Sequence, residues 1–265
     1  MRQLKLWHAI LQLAVLILVG LLAWTLLHST SKVPEDVYPF LTSLPPNLIL
    51  DAQTQEGHVA FNNAWMDIVA VESVVDKPRA NLVTQRLAEK GQISALRELL
   101  PPEEYRAILH RRQLLSQYPY YQPEAFLFPV AGHTWYEDTY GASREGGKRR
   151  HEGTDLFGPE GTPIVSVCSG TIEKLGWNKL GGERVGIRGE DGAYYYYAHL
   201  QRIAPGLWEG KHIKKGTLIG YLGHTGDALT TPDHLHFGIE SPNGEWINPY
   251  PFLVVWQHYS SFDRP

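Results

Sequence analysis

Cysteine is nearly absent: among 265 residues there is one, Cys168. One thiol cannot close an intramolecular disulfide or build a cysteine-rich metal site, so any bound metal must be held by histidine and carboxylate. Cys168 closes the apolar run 163–168, which reads as a buried strand where the thiol serves packing. An excess of positive charge is also missing, since 24 Lys and Arg stand against 28 Asp and Glu, with net charge -4 and a pI near 6.3. There is no global basic field of the kind that drives nucleic-acid binding, and nucleic acid is not expected as a partner. Internal repeats and low-complexity tracts are absent, and an apolar fraction of 43% is ordinary for a globular protein, which excludes wholesale disorder.

Long apolar runs occur in one place only. Residues 7–27 are apolar but for His8, Gln12 and Thr25, and a helix of about 20 such residues spans a bilayer. Arg2 and Lys5 precede the run, while Lys32 and then Glu35 and Asp36 follow it. The positive-inside rule therefore puts residues 1–6 in the cytoplasm and everything after the span outside. A cleaved signal peptide is the alternative, but its apolar core would be only ~7–15 residues long, and no small-x-small cleavage pattern follows cleanly. The expectation is an uncleaved single-pass anchor in the cell membrane.

Residues 28–57 contain Pro34, Pro45 and Pro46 among many Ser, Thr and Asn, and read as a linker without a packed core. Residues 58–117 turn helical. Phe61, Trp65, Ile68, Val69 and Val75 fall near one face, and a second set follows at Leu82, Arg86, Leu87, Ile93, Leu96 and Leu100, with Gly91 as a break. A third segment opens on Pro102, Glu103 and Glu104, as a helix start favours, and carries the stripe Tyr105, Ile108, Leu109 and Leu115. These stripes are expected to bury one another, and the segment is also long enough to meet a protein partner or activator. Residues 118–265 are different: short β-branched and aromatic runs alternate with turns such as Gly181-Gly182, Asp191-Gly192 and Asn243-Gly244. The expected fold class is a mainly β C-terminal domain with an antiparallel sheet, preceded by a small α-helical segment and one N-terminal transmembrane helix.

The β region holds four ordered motifs: His151-Glu-Gly-Thr-Asp155, Tyr197-Ala-His199-Leu, His234-Leu-His236-Phe and Asn248-Pro249. Alternate residues of a strand project to one face, so His234 and His236 can converge on one point. A catalytic zinc needs about three protein ligands and an open position. His151, Asp155 and one or both of His234 and His236 are the candidates, and strand spacing does not separate the last two.

On these motifs, residues 128–253 resemble the lysostaphin-like zinc peptidases, also called the LytM or M23 peptidase domain. The resemblance implies that His151, Asp155 and His236 bind Zn2+ and that His199 and His234 are catalytic without binding it. It implies hydrolysis of a peptide bond in peptidoglycan, and an extracytoplasmic catalytic domain suits a cell-wall substrate. The chain departs from the family pattern in a longer loop between Gly226 and His234, in Asp233 where a small residue is common, in His224 where asparagine is usual, and in Gly238 where glutamate is frequent. Asp227 and Asp233 either raise the pKa of a catalytic histidine or cap turns. Tyr197, beside Ala198-His199, is a candidate wall of the substrate groove. The run Lys148-Arg149-Arg150 either attracts substrate carboxylates and wall phosphates or is a solvated loop. The leading reading is a membrane-anchored zinc endopeptidase; its rival is a scaffold or regulator that uses the same domain to bind wall peptides or a partner without cutting.

Overall fold

The computed structural model describes residues 33–55 and 64–262. The apolar run 7–27 lies outside them, and no described helix is long and apolar enough to cross a membrane. All the described helices and strands belong to one unit, Glu35–Pro265.

The glycine-punctuated runs of the second half form an antiparallel sheet, as their period-2 pattern requires. Its strands are β3 (Thr154–Phe157), β4 (Pro163–Val165), β5 (Gly170–Asn178), β6 (Gly182–Gly189), β7 (Tyr194–Ile203), β8 (His212–Ile213), β9 (Leu218–Leu222), β10 (His234–Glu240) and β11 (Trp246–Ile247). A hairpin of β1 (Ser143–Arg144) and β2 (Arg149–Arg150) stands apart from it. The main path runs β11-β10-β7-β6-β5-β8, with β3 beside β10 and β9 joining β7 to β4. Strand β10 is therefore covered on both edges, by β7 on one side and by β3 and then β11 on the other. Leu235, Phe237 and Ile239 are fully buried on one face of β10, which leaves His234 and His236 to the other.

Helices α1 (Val37–Ser43), α2 (Pro46–Gln55), α3 (Ala64–Glu72), α4 (Lys77–Lys90) and α5 (Pro102–Gln117) precede the sheet, and α6 (Tyr250–Phe262) follows it. Helix α4 starts at Asp76, whose carboxylate accepts from the Arg79 amide at 3.1 Å, and stops at Gly91 in the left-handed region. The expected stripes do bury one another: Val71, Val83, Leu87, Leu96, Leu100 and Ile108 share one core. Leu82 and Leu109 fall outside it, 69% and 38% exposed. On α4 the inward face passes through Ala80, Val83 and Leu87, and Leu82 points away from that line.

One expectation is corrected. Within 28–57, read as a linker, residues 37–55 form α1 and α2 and bury Val37, Tyr38, Phe40, Leu41, Leu44 and Ile49. The prolines do not loosen this stretch, because Pro46 occupies the first position of α2, where a missing N–H is harmless. Aromatic rings then join α1 and α6 to the sheet, with Tyr38 edge-on to Tyr120 at 5.9 Å. Phe126 stacks between Tyr120 and Trp256 at 5.1 and 4.9 Å, and Trp256 Nε1 donates to the Tyr120 carbonyl at 2.7 Å. The hydroxyls of Tyr120 and Tyr195 both donate to one oxygen of Asp191, at 2.8 and 2.6 Å. Replacing Trp256 with alanine is expected to cost about 3–5 kcal/mol, read as a lower urea midpoint, with zinc uptake of the folded fraction unchanged.

Candidate metal centre and catalytic cleft

Register places the ligands. On β10, His236 lies opposite Asp155 of β3 on one side and Ala198 of β7 on the other, so a carboxylate and an imidazole leave one face of adjacent strands side by side. His151 is in the loop before β3, where its backbone exchanges two hydrogen bonds with the preceding turn, Gly141 N to His151 O at 2.8 Å and His151 N to Ala142 O at 2.9 Å. His151 Nε2, Asp155 Oδ1 and His236 Nδ1 form a triangle with every edge 3.0 Å. Tetrahedral zinc with bonds of about 2.0–2.1 Å sets its donors roughly 3.3 Å apart, which this triangle approaches.

Proton positions support the same conclusion. His151 Nδ1 lies 3.0 Å from the Thr139 carbonyl oxygen, which can only accept, so the proton sits on Nδ1 and Nε2 carries a lone pair. That lone pair faces the Asp155 carboxylate, and two acceptors at such a distance repel unless a cation stands between them. Burial disfavours the Asp155 anion, and a cation held between the carboxylate and the two imidazoles would offset that cost. Burial also pushes the His236 pKa down, against the pull of Asp155, so its imidazole is neutral and able to ligate. The donor set fits zinc.

Two more imidazoles border the triangle. His234 Nδ1 lies 2.8 Å from the Pro232 carbonyl and His199 Nδ1 lies 2.8 Å from the Thr225 carbonyl, so each carries its proton there and leaves Nε2 with a lone pair. His234 Nε2 is 3.8 Å from Asp155 Oδ1, outside the 3.0 Å triangle, which separates it from His236. Burial, reinforced by His234 and His236 nearby, pushes the His199 pKa down to about 4. His199 reaches the cleft by a β-bulge. Between the pairs Glu183↔Leu200 and Val185↔Tyr197, β7 spends one more residue than β6. His199 there has φ +62°, and its ring comes to 4.9 Å from that of His234. Simple alternation would have sent it to the face opposite Ala198.

Residues 149–249 match the model of the family described as Peptidase family M23. The chain carries an M23 peptidase domain. It is 42% identical over 51% of its length to an L-Ala--D-Glu endopeptidase of Bacillus subtilis, 44% of which is covered. It is 40% identical over 34% of its length to the peptidoglycan DD-endopeptidase ShyC of Vibrio cholerae, 20% of which is covered. The solved catalytic domain of the antimicrobial peptidase lysostaphin from Staphylococcus simulans is 32% identical, with a TM-score of 0.40, covering 45% of this chain and 92% of that one. The chain thus spans less than half the length of the curated relatives named here. The cofactor of an M23 domain is zinc, and His151, Asp155 and His236 are the residues that fit it.

Every residue of the M23 site expected from sequence comes to this cleft, but several neighbours do not behave as expected. Tyr197 does not line the groove: it pairs with Phe237 on the core face, is fully buried, and its hydroxyl accepts from the Val167 amide at 3.0 Å. Tyr196 takes that role, with its ring edge-on to His236 and Trp246 at 6.0 and 6.1 Å. The acids of the long loop do not contact a catalytic histidine. Asp233 pairs with His224 at 2.6 Å, and Asp227 pairs with Arg149 at 3.0 Å. Arg149 lines the cleft and also holds Glu145 at 2.7 Å, so the basic run is partly structural. Gly238 admits Trp246, whose ring lies 2.7 Å from where a Cβ would stand. Sequence reasoning missed Arg144, Phe157 and Trp246 as lining residues; only the β3 pattern around Asp155 could have pointed to Phe157. Among the described residues, the cleft is lined only by positions from Arg144 onward, so the helices do not block it.

Gly153 tests the centre. A Cβ there would meet the Phe237 carbonyl oxygen at 2.5 Å and the His236 ring at 2.7 Å. Gly153→Ala is expected to push His236 off the triangle and weaken zinc binding about tenfold or more, measured by competition with a chromophoric chelator; unchanged affinity would show that the loop yields instead.

Proposed function

We propose that the protein is a membrane-anchored zinc endopeptidase that hydrolyses a peptide bond in peptidoglycan stems or cross-bridges, with its catalytic domain on the extracytoplasmic side. The observation that carries this is the pairing of a metal-sized triangle with two imidazoles that each direct an unprotonated Nε2 to the same cleft. The anchor rests on the apolar run 7–27 and the charges that flank it. The substrate class is supported by the names of the relatives, an L-Ala--D-Glu endopeptidase and a peptidoglycan DD-endopeptidase.

In this reading His151, Asp155 and His236 hold the zinc. Bound zinc lowers the pKa of water from about 15.7 to about 7 and polarises a carbonyl, which meets the weak nucleophile and the inert amide together. His199 and His234 do the proton work. A neutral Nε2 takes the proton of the attacking water; once charged, the ring donates to the developing oxyanion or passes the proton to the leaving amine. The low pKa of His199 keeps it in the accepting form at neutral pH. Two cleft halves meet at Arg149, His199 and His236, one running past Phe157 and His234 and the other past Tyr196 and Trp246. An extended peptide laid across both halves passes over the triangle of His151, Asp155 and His236. The complete set of ligands and bases favours hydrolysis over a scaffold that only binds.

The full chain, loaded with zinc and incubated with purified sacculi, is expected to release muropeptides whose masses name the bond. His234→Ala should keep zinc and lose at least about a hundredfold in rate, whereas His236→Ala should lose both. Zinc bound by the wild type with no fragment released would replace this reading with the scaffold.

A further inference from the structure

Two of the three metal-site residues are backed by one short segment, 139–144. Thr139 accepts the Nδ1 proton of His151, Gly141 and Ala142 bond its backbone, and Arg144 Nη2 donates to Asp155 Oδ2 at 2.6 Å. The Asp155 side chain is 11% exposed and that of Arg144 35%, so this ion pair sits at the cleft wall rather than in free solvent. The segment is itself fixed. Tyr140 N and Asn248 Nδ2 both donate to Asp138, and the Tyr140 hydroxyl donates to the Trp246 carbonyl. Beyond it, Arg144 pairs with Arg149 in the β1–β2 hairpin, and Arg149 is held by Glu145 and Asp227.

We propose that Arg144 is a positioning residue of the metal centre, which takes the outer oxygen of Asp155 so that the carboxylate offers only Oδ1 to the metal. This rests on the reading of His151, Asp155 and His236 as zinc ligands. A carboxylate free at both oxygens can turn and chelate, filling the coordination position that hydrolysis needs open. The guanidinium prevents this in two ways. Its Nη2 engages Oδ2 through a charge-assisted hydrogen bond, and its backbone is paired with Arg149 in the hairpin, so Asp155 cannot rotate without breaking the pair. By drawing negative charge to Oδ2, it also leaves the metal a stronger Lewis acid than an unpaired aspartate would.

The test uses the full chain with Arg144→Gln and Arg144→Lys. Zinc affinity is measured by chelator competition, coordination by the visible spectrum of the Co2+-substituted protein, and rates on sacculi are split into kcat and KM; far-UV circular dichroism checks folding. Arg144→Gln is expected to tighten zinc binding several-fold, because a second carboxylate oxygen and the loss of a neighbouring cation both favour the ion, to dim the visible cobalt bands as coordination number rises, and to lower kcat with KM little changed. Arg144→Lys should restore part of each and remains informative if the glutamine variant fails to fold. Unchanged zinc affinity and cobalt spectrum with a raised KM would overturn the proposal and make Arg144 a substrate contact; no change in any readout would overturn it outright. A wild type that takes up no zinc would remove the zinc reading itself, whereas equal binding by wild type and variants would remove only the role given to Arg144.

Discussion

The registration of β10 between β3 and β7 is the constraint on which the cleft depends. His236 faces Asp155 on one side and Ala198 on the other, and all chemistry in the cleft follows from that row. A slip of one residue would turn both imidazoles into the core and Leu235 and Phe237 into the cleft. The register is enforced from the opposite face, where Leu235, Phe237 and Ile239 are fully buried against partners that include Tyr197 and Trp256. The apolar face offsets the cost of holding polar rings on the other. The tyrosine run of β7 serves both faces at once, with Tyr195 and Tyr197 in the core and Tyr196 at the groove.

The second requirement is met by carbonyl oxygens. Thr139, Thr225 and Pro232 each present a carbonyl to an Nδ1, and between them they decide which nitrogen of His151, His199 and His234 carries the proton. These acceptors come from separate loops outside the strands, and the loops are tied in turn: Asn248 to Asp138, Asp227 to Arg149, His224 to Asp233. The Asn-Pro motif thus acts at a distance from the metal. It secures the turn that secures His151.

Much of the site and its fold is legible from residues alone. The alternation of His234 and His236, the mainly β character after the helices and the mutual burial of the helical stripes all follow from period and composition. Strand spacing cannot tell His234 from His236, because both share one face; the family resemblance implies the difference, and the geometry separates them. Other features are not legible, for physical reasons. The bulge at His199 breaks the alternation that periodic reading assumes, so His199 reaches the cleft while Tyr197, two residues earlier, stays in the core. Backbone carbonyls that fix tautomers belong to no residue type, so sequence cannot announce them. Residues 37–55 look loose in sequence because prolines break most helices, whereas Pro46 starts one.

The backbone at His199 has a further consequence. A residue with a Cβ in the left-handed region costs about 1–2 kcal/mol, and glycine would adopt φ +62° freely. The sheet therefore carries a standing strain at the one position where it must deliver an imidazole against its own alternation. Selection for hydrolysis and selection for robustness oppose each other there. In a descendant freed from the need to cut, His199→Gly would relieve the backbone and erase a base in a single step, so loss of activity in this architecture has a downhill path.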